Sequence, residues 1–250
     1  MNLTTLSYGV EGNVATITLD RSESRNALNR AMCDDIVAAT AAARDNAEVR
    51  FVLVRANGPV FCAGADLKER RGMSADEVRA RRLAAFAAYG ALESLPMPVI
   101  GVVQGPAIGS GAEIAACCDF VVATPQASFA TPEALWGTVG ATQRLPRILG
   151  KQLAKDMMFT GRKLNAEEAR AAGLVTRIVD AAALDGALTD IAKVILAAPQ
   201  TAMRQAKSCI DQGIVLDPRG ALALELAAME ENIARDTWRA GISSFGGDKR

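Results

Sequence analysis

Two short runs of small residues constrain the fold of this chain more than any other feature. The first is Phe61–Glu69, with the sequence FCAGADLKE, and the second is Gly105–Glu113, with the sequence GPAIGSGAE. Glycine and alanine let the backbone turn tightly and approach a neighbouring segment or a ligand closely. Each run follows a predicted strand and precedes a predicted helix. One such run alone predicts only a tight strand-to-helix turn, so its meaning depends on the residues around it.

Two carboxylates accompany these turns. Glu113 lies in the sequence GAEIAACC, where almost nothing nearby is polar, and Glu133 lies in the sequence ATPEAL. A helical glutamate is ordinarily solvated or ion-paired, and Glu133 could simply begin a helix after Pro132. Burial, however, raises the pKa of a carboxyl group and suits it to proton exchange near neutral pH. Two turns that present backbone N–H groups, together with two such carboxylates, can form and protonate an enolate, so we expect an enzyme that acts on acyl thioesters.

Strands alternate with helices along most of the chain, and the last part is helical. Short apolar or alternating runs predict strands at 14–19, 50–54, 99–103, 120–123, 127–129 and 175–179. Helical spacing and capping residues predict helices at 29–44, 74–95, 112–117, 150–159, 165–172, 182–197, 201–212 and 218–235. Asn29 is a predicted N-cap, and Ser74 with Glu77 a predicted capping box. This pattern predicts an α/β core over residues 1–197, which would hold the active site, and an α-helical region over residues 198–250.

Composition excludes several classes of protein. The 250 residues include no histidine, which removes Ser-His and Cys-His nucleophile pairs and every histidine metal site, and we expect no metal. Basic and acidic residues number 28 each, so no basic field would attract nucleic acid. The five cysteines lack a C-x-x-C pair, and neither a secretory signal nor a membrane-spanning stretch is evident. We expect a cytoplasmic protein with no nucleic-acid or membrane partner.

The two runs resemble the two signatures of the enoyl-CoA hydratase/isomerase family, the crotonases. The second signature is matched over Gly105–Asp119, and later stretches are similar to later landmarks of the family, namely TQRL at 142–145, TGR at 160–162 and ARAAGLV at 169–175. Within the family, Ala63–Arg71 is most similar to the methylglutaconyl-CoA hydratase branch that binds AU-rich RNA. The resemblance covers most of the chain in the family's order. It implies a spiral of repeated ββα units, with C-terminal helices that build homotrimers, often paired into hexamers.

By this resemblance, the backbone N–H groups of Ala65 and Ser110 would form an oxyanion hole for the thioester oxygen. Glu113 would take a proton from the water that attacks Cβ, and Glu133 would supply a proton to Cα, so that water adds syn across the 2,3 double bond. The presence of both carboxylates favours hydration, because isomerase branches often keep only one. The resemblance therefore implies an enoyl-CoA hydratase.

Coenzyme A would enter as part of the acyl-CoA thioester substrate, with no separate cofactor. The resemblance assigns its binding to Arg25, Ala27, Ala63, Ala65 and Leu67, with Lys68 near a phosphate. Phe245 and Lys249 occupy the place from which family members send an aromatic residue and a lysine to a ligand. A run of arginines is for the most part better explained as a solvated helix face; it comprises Arg70, Arg71, Arg79, Arg81 and Arg82.

The chain departs from the family's pattern at two places. Ser110 stands where the family usually has glycine, a change that keeps the backbone donor. The segment Gly137–Arg144 is shorter than the usual Pro-Gly-x-Gly-Gly-Thr-Gln-Arg loop, which borders the acyl pocket. We expect the short loop to move Gln143 and Arg144 relative to the pocket. We also expect it to make crotonyl-CoA a poorer substrate than some other acyl thioester.

Other functions remain open on the sequence alone. Isomerisation or C–C cleavage would use Glu113 or Glu133 singly, and the chain could instead be a non-catalytic scaffold that binds CoA esters or RNA. RNA binding would need a lysine-rich first helix, whereas the helix after Asn29 mixes arginines with aspartates. The helix predicted at 218–235 favours a homotrimer or hexamer, because it carries an apolar surface that comprises Leu222, Leu224, Leu226, Ala227 and Met229.

Overall fold

The computed structural model describes residues 1–236 together with residues 238, 239 and 242, so Phe245 and Lys249 lie outside the described residues. The strands are β1 Leu6–Glu11, β2 Val14–Leu19, β3 Phe51–Ala56, β4 Val99–Val103, β5 Pro106–Ile108, β6 Phe120–Ala123, β7 Ser128–Ala130, β8 Leu164–Asn165 and β9 Arg177–Ile178. The helices are α1 Arg30–Asp45, α2 Ala75–Glu93, α3 Ser110–Ala116, α4 Arg144–Leu149, α5 Lys151–Thr160, α6 Ala166–Ala171, α7 Leu184–Ala197, α8 Gln200–Gly213 and α9 Pro218–Ala234. The alternation of strands and helices predicted from the sequence is confirmed.

The strands form two sheets. The large sheet has the order β1-β2-β3-β4-β6-β9, and the small sheet has the order β5-β7-β8. Apart from the antiparallel pair β1–β2, the large sheet is parallel. Isolated bridges Leu28–Ala65 and Cys62–Ala107 extend the small sheet toward earlier parts of the chain. Successive units therefore contribute a long strand, a short pairing segment and a helix, which is the ββα repeat that the resemblance predicts.

Local sequence signals explain where the main helices and strands form. Strand β4 is buried over its whole length, as expected for a parallel strand covered on both faces. Helix α1 begins at the predicted N-cap, where the Asn29 side chain accepts a hydrogen bond from the Met32 amide at 2.9 Å. Helix α2 begins with the predicted capping box of Ser74 and Glu77. Helix α2 forms one wall of the cavity described below, so this cap also positions the candidate site.

Some elements differ from the sequence-based expectation. Strands β1, β5 and β8 and helix α4 were not expected, and the strand expected at 175–179 is limited to Arg177–Ile178. Strands β5 and β8 contain only three and two residues, too few for an alternating pattern to be recognised. Helix α4 contains Pro146, a residue that ordinarily argues against a helix interior but sits here in the first turn.

Helices α8 and α9 contain no buried residue, so neither contributes a side chain to the hydrophobic core. Helix α8 is tied to the core by the ion pair between Lys207 and Asp119 at 2.5 Å. Helix α9 leaves Leu222, Leu226 and Met229 about half exposed. The division into a core over 1–197 and a helical region over 198–250 stays a prediction. None of the described helices is long and apolar enough to cross a membrane.

Candidate active site

The small sheet brings the two runs of small residues side by side. The Ile108 amide donates to the Cys62 carbonyl at 2.9 Å, and the Cys62 amide donates to the Pro106 carbonyl at 3.1 Å. The close approach requires glycine at position 111, because a Cβ there would lie 2.3 Å from the Cys62 carbonyl oxygen. The spacing of small residues in the sequence is therefore explained by backbone-to-backbone packing.

The two predicted oxyanion-hole donors lie on these adjoining segments. Ala65 and Ser110 line the same cavity. Ser110 is the first residue of α3, and N–H groups in the first turn of a helix have no partner within it. Within the described part of the chain, neither the Ala65 amide nor the Ser110 amide donates a hydrogen bond. Two residues that line one cavity therefore each have a backbone N–H group without a hydrogen-bond partner among the described residues.

Glu113 lies in the first turn of α3 and is almost fully buried. Its Oε2 atom is 3.3 Å from Nη1 of Arg144, whereas its Oε1 atom is buried without a hydrogen-bond partner among the described residues. Burial raises the pKa of this carboxyl group, and the charge of Arg144 opposes that effect. The rise in pKa agrees with the sequence-based expectation. The expectation that Glu113 has only apolar surroundings is wrong in one respect, because the Arg144 side chain lies beside it.

Glu133 begins a single 3-10 turn, Glu133–Trp136, after strand β7. Its Oε1 atom lies 2.6 Å from the position that a Cβ would take at Gly109. Its Oε2 atom is buried and has no hydrogen-bond partner in the described residues. Burial raises the pKa of Glu133, and the nearby charge of Glu113 raises it further. Unlike Glu113, this carboxylate forms no ion pair with a described residue.

Both glutamates line a cavity of about 180 Å³. Its apolar wall includes Phe86 and Tyr89 from α2, and Trp136 and Val139 from the segment that follows β7. The Tyr89 phenol is buried and interacts with the Ser110 side chain, which opposes the rise in the Tyr89 pKa caused by burial. A cavity with an apolar wall and a few convergent polar groups is typical of a small-molecule site.

Among the residues that the resemblance assigns to coenzyme A, the cavity contains Ala63, Ala65 and Leu67. Arg25, Ala27 and Lys68 do not line it. Arg25 and Lys68 are exposed. Arg25 nevertheless adjoins the cavity lining, because its carbonyl accepts a hydrogen bond from the Ala63 amide at 3.0 Å. The structure therefore separates the assigned residues into a group inside the cavity and a group on the adjoining surface.

The arginine run is not a uniform solvated face. Arg71 and Arg79 are exposed as expected. Arg81 is only 3% exposed, pairs with Glu69 at 3.0 Å and donates to the Leu28 carbonyl. Arg70 and Arg82 line the cavity, so the expectation is wrong for these residues and for Arg81. Helical spacing offered a signal for Arg81, since positions 81, 85, 88 and 92 share the buried face of α2.

The short segment Gly137–Arg144 lies against both glutamates. Gly140 approaches Glu133 so closely that a Cβ there would lie 3.2 Å from its Cγ atom. Arg144 contacts Glu113, donates to Glu93 at 2.8 Å and lies over the Tyr89 ring at 5.5 Å from its centroid. The sequence left open whether Arg144 would lie toward or away from the pocket. In the structure its guanidinium group contacts the buried carboxylate of Glu113.

Comparison with known proteins indicates the family of this chain. The model of the enoyl-CoA hydratase/isomerase family matches residues 9–250. Human mitochondrial methylglutaconyl-CoA hydratase is 34% identical over 241 residues, which cover 93% of this chain and 71% of the relative. Crotonyl-CoA hydratase of Syntrophomonas wolfei is 33% identical over 239 residues, which cover 94% of this chain and 92% of the relative.

The fold is also that of solved relatives. The crystal structure of an enoyl-CoA hydratase from Bacillus anthracis superimposes with a TM-score of 0.93 at 33% sequence identity, over 97% of this chain and 96% of that one. The ββα repeats, the two sheets and the C-terminal helices therefore form a crotonase fold. This chain belongs to the enoyl-CoA hydratase/isomerase family.

Proposed function

We propose that the protein is an enoyl-CoA hydratase that adds water across the 2,3 double bond of a 2-enoyl-CoA thioester. One observation supports this more than any other. The buried Glu113 and the partly buried Glu133 each have one buried oxygen without a hydrogen-bond partner among the described residues, and both line the cavity that Ala65 and Ser110 also line. The names of the two hydratase relatives point to the same class of reaction.

The first part of the mechanism is stabilisation of negative charge. When water attacks C3, electrons move through C2 onto the thioester oxygen, which becomes an enolate oxygen. The amides of Ala65 and Ser110 are the proposed donors to that oxygen. Fixed backbone donors of this kind typically contribute about 2.7–4 kcal/mol each to transition-state stabilisation.

The electrostatics divide the two carboxylates between the roles of base and acid. Arg144 favours the charged form of Glu113, so Glu113 is the proposed base that takes a proton from the attacking water. Glu133 has no ion pair with a described residue. Burial and Glu113 favour its protonated form, and the charges of Arg82 and Arg70 oppose this without reversing the rise in its pKa. Glu133 is therefore the proposed acid that gives its proton to C2. The new C3–O and C2–H bonds then form on the same side of the former double bond.

Coenzyme A is proposed to bind as part of the substrate and not as a separate cofactor. Ala63 and Leu67 would contact it at the mouth of the cavity, and Arg25, Ala27 and Lys68 would contact it on the adjoining surface. Residues 1–197 would supply all of these contacts. The helical region over 198–250 would serve assembly.

The proposed function is tested by a screen of short, branched and aromatic 2-enoyl-CoA thioesters. Hydration removes the conjugated absorbance, so its loss reports turnover. We expect hydration of at least one thioester. Crotonyl-CoA should be a poor substrate, because Gly140 of the short segment packs against Glu133. Absence of hydration across the screen would contradict the proposed function, and strong turnover of crotonyl-CoA would contradict the proposed effect of the loop.

The roles of the two glutamates predict a specific change in pH dependence. In the Arg144→Met variant the charge that favours ionised Glu113 is lost, so the pKa of Glu113 rises further. Because the base must be deprotonated, the acidic limb of the profile of kcat/KM against pH should move to higher pH. The control is Arg147→Met on the exposed face of α4, which should leave the limb unchanged. An unshifted limb in the Arg144→Met variant would show that Glu113 is not the base.

We also propose that the protein is a homotrimer or a hexamer. The half-exposed apolar side chains Leu222, Leu226 and Met229 on α9 support this, because a monomer would leave them in water. Light scattering at micromolar concentration should therefore give a native mass of three or six chains. A monomeric mass under these conditions would contradict the proposal.

A further inference from the structure

One arginine is shared by two carboxylates at the edge of the cavity. The Nη1 atom of Arg144 lies 3.3 Å from Oε2 of Glu113, and its Nη2 atom donates to Oε2 of Glu93 at 2.8 Å. The same guanidinium group lies over the Tyr89 ring, 5.5 Å from its centroid. A planar guanidinium group with two carboxylates on its edge and a ring beneath its face has a defined orientation. Glu93 and Tyr89 therefore help to determine how Arg144 contacts Glu113.

The two carboxylates that share Arg144 lie in different surroundings. The Glu113 side chain is 6% exposed and lines the cavity, whereas the Glu93 side chain is 51% exposed and does not line it. Glu93 is the last residue of α2, and it makes the shorter of the two contacts with the arginine. A single positive charge that faces two negative charges cannot fully neutralise both. Glu113 therefore receives only part of the stabilisation that Arg144 could give it.

The other ionisable groups near Glu113 do not supply this charge. The groups that interact with it are Arg144 from α4, Glu93 and Tyr89 from α2, Cys117 from α3 and Glu133 from the turn after β7. Burial raises the pKa of the Tyr89 phenol and of the Cys117 thiol, so both are neutral at neutral pH. Burial also raises the pKa of Glu133 and favours its protonated form. The charge on Glu113 is therefore set chiefly by Arg144 and Glu93.

We propose that Glu93 is a positioning residue for Glu113, because it holds one edge of the Arg144 guanidinium group and limits the share of that positive charge available to Glu113. This inference rests on the proposed function, in which Glu113 takes a proton from water. A carboxylate that an arginine stabilises fully is a weak base, and a general base is most efficient when its pKa lies near the working pH. Sharing Arg144 with Glu93 keeps Glu113 a stronger base. A carboxylate outside the cavity thus adjusts the base without contacting the substrate.

The test is the profile of kcat/KM against pH for Glu93→Gln. Loss of the Glu93 charge removes an effect that raises the pKa of Glu113 and leaves Arg144 to Glu113 alone. Because the base then stays deprotonated to lower pH, the acidic limb should move to lower pH, opposite to the shift expected for Arg144→Met. On that limb, kcat/KM relative to its plateau should rise about 2- to 5-fold, the range of a partly exposed ion pair. Glu167→Gln is the matched control, since Glu167 pairs with Arg170 at 2.9 Å on α6, and it should leave the limb unchanged.

A double variant tests whether Glu93 acts through the arginine. In the Arg144→Met background there is no guanidinium group to share, so adding Glu93→Gln should move the limb much less than it does alone. An equal shift in both backgrounds would overturn the proposal, because Glu93 would then act on Glu113 directly. A shift of the single variant to higher pH, or no shift, would also overturn it. This second criterion needs only Glu93→Gln, a substitution at a half-exposed position, to fold.

An infrared titration separates this inference from the proposed function. The carboxylic-acid band that is missing in Glu113→Gln belongs to Glu113, and its disappearance with rising pH reports the protonation of Glu113 without turnover. In Glu93→Gln the band should disappear at lower pH than in the unmodified protein. If it does so while the limb of kcat/KM stays in place, Glu113 is not the base and the proposed function fails. If the band does not move, this inference fails and the proposed function is untouched.

Discussion

Glu113→Gln and Glu133→Gln are each expected to lower kcat by about 10²- to 10⁴-fold, the range typical of a lost general acid or base. Glutamine keeps the shape of each side chain but neither accepts the proton from water nor delivers one to C2. Glu113 is buried and Glu133 is partly buried in one cavity, and each has one buried oxygen without a hydrogen-bond partner among the described residues, so a solvent-exposed acid cannot take the place of either. Steady-state hydration by each variant checks the expectation.

Binding separates loss of chemistry from loss of structure. The affinity for an unreactive acyl-CoA should change little in both variants, because the oxyanion donors Ala65 and Ser110 are backbone groups. Glu167→Gln is the matched control, since Glu167 is exposed on α6 and pairs with Arg170. It should hydrate as well as the unmodified protein. Turnover by Glu133→Gln close to that of the unmodified protein would remove Glu133 from the mechanism, and the same holds for Glu113.

Gly109→Ala is expected to lower kcat by about 10²-fold, because small displacements near reacting atoms have effects of that size. Gly109 has φ +53° and ψ −110°, a conformation that residues with a Cβ rarely adopt. A Cβ at this position would also lie 2.6 Å from Oε1 of Glu133. The substitution should therefore displace both the Glu133 carboxylate and the amide of the next residue, Ser110.

Gly12→Ala is the control for backbone strain. Gly12 also has a positive φ, +56°, but a Cβ there would meet no atom within 4 Å. Both variants should lose about 1–3 kcal/mol of stability through strain, measured by chemical denaturation. Only Gly109→Ala should lose turnover at a temperature where both are folded. Equal turnover in the two variants would show that Gly109 has no part in positioning Glu133.

The sequence predicts those parts of the fold that depend on neighbours along the chain. The N-cap Asn29 and the capping box of Ser74 and Glu77 were recognised because each involves residues within one helical turn. Strand β1 was missed although Leu6–Glu11 alternates apolar with polar or small residues, because Gly9 in its interior argues against a strand. Its antiparallel register with β2 defines it. The bridges that extend the small sheet join segments far apart in sequence, such as Leu28 with Ala65.

In the candidate site, too, the sequence predicts the residues with a local signal and not the contacts between distant residues. Glu113 and Glu133 could be recognised because each stands alone in an apolar stretch. The contact between Arg144 and Glu113 spans 31 residues, and that between Arg82 and Val139 spans 57, so no local pattern predicts them. Arg70 lies in the turn that precedes α2, and its position in the cavity lining likewise depends on segments far apart in sequence. For this reason the sequence indicates the reaction more readily than the acyl group.

The most direct test is isotope labelling of the product. The protein would be incubated with a 2-enoyl-CoA that it turns over, once in water enriched in ¹⁸O and once in deuterium oxide, and the product examined by mass spectrometry. Hydration predicts ¹⁸O bound to C3 in the first solvent and deuterium at C2 in the second, with both labels appearing about 10²- to 10⁴-fold more slowly in the Glu113→Gln and Glu133→Gln reactions. A product that gains deuterium without ¹⁸O would be an isomer of the substrate, and would contradict the assignment of the protein as a hydratase.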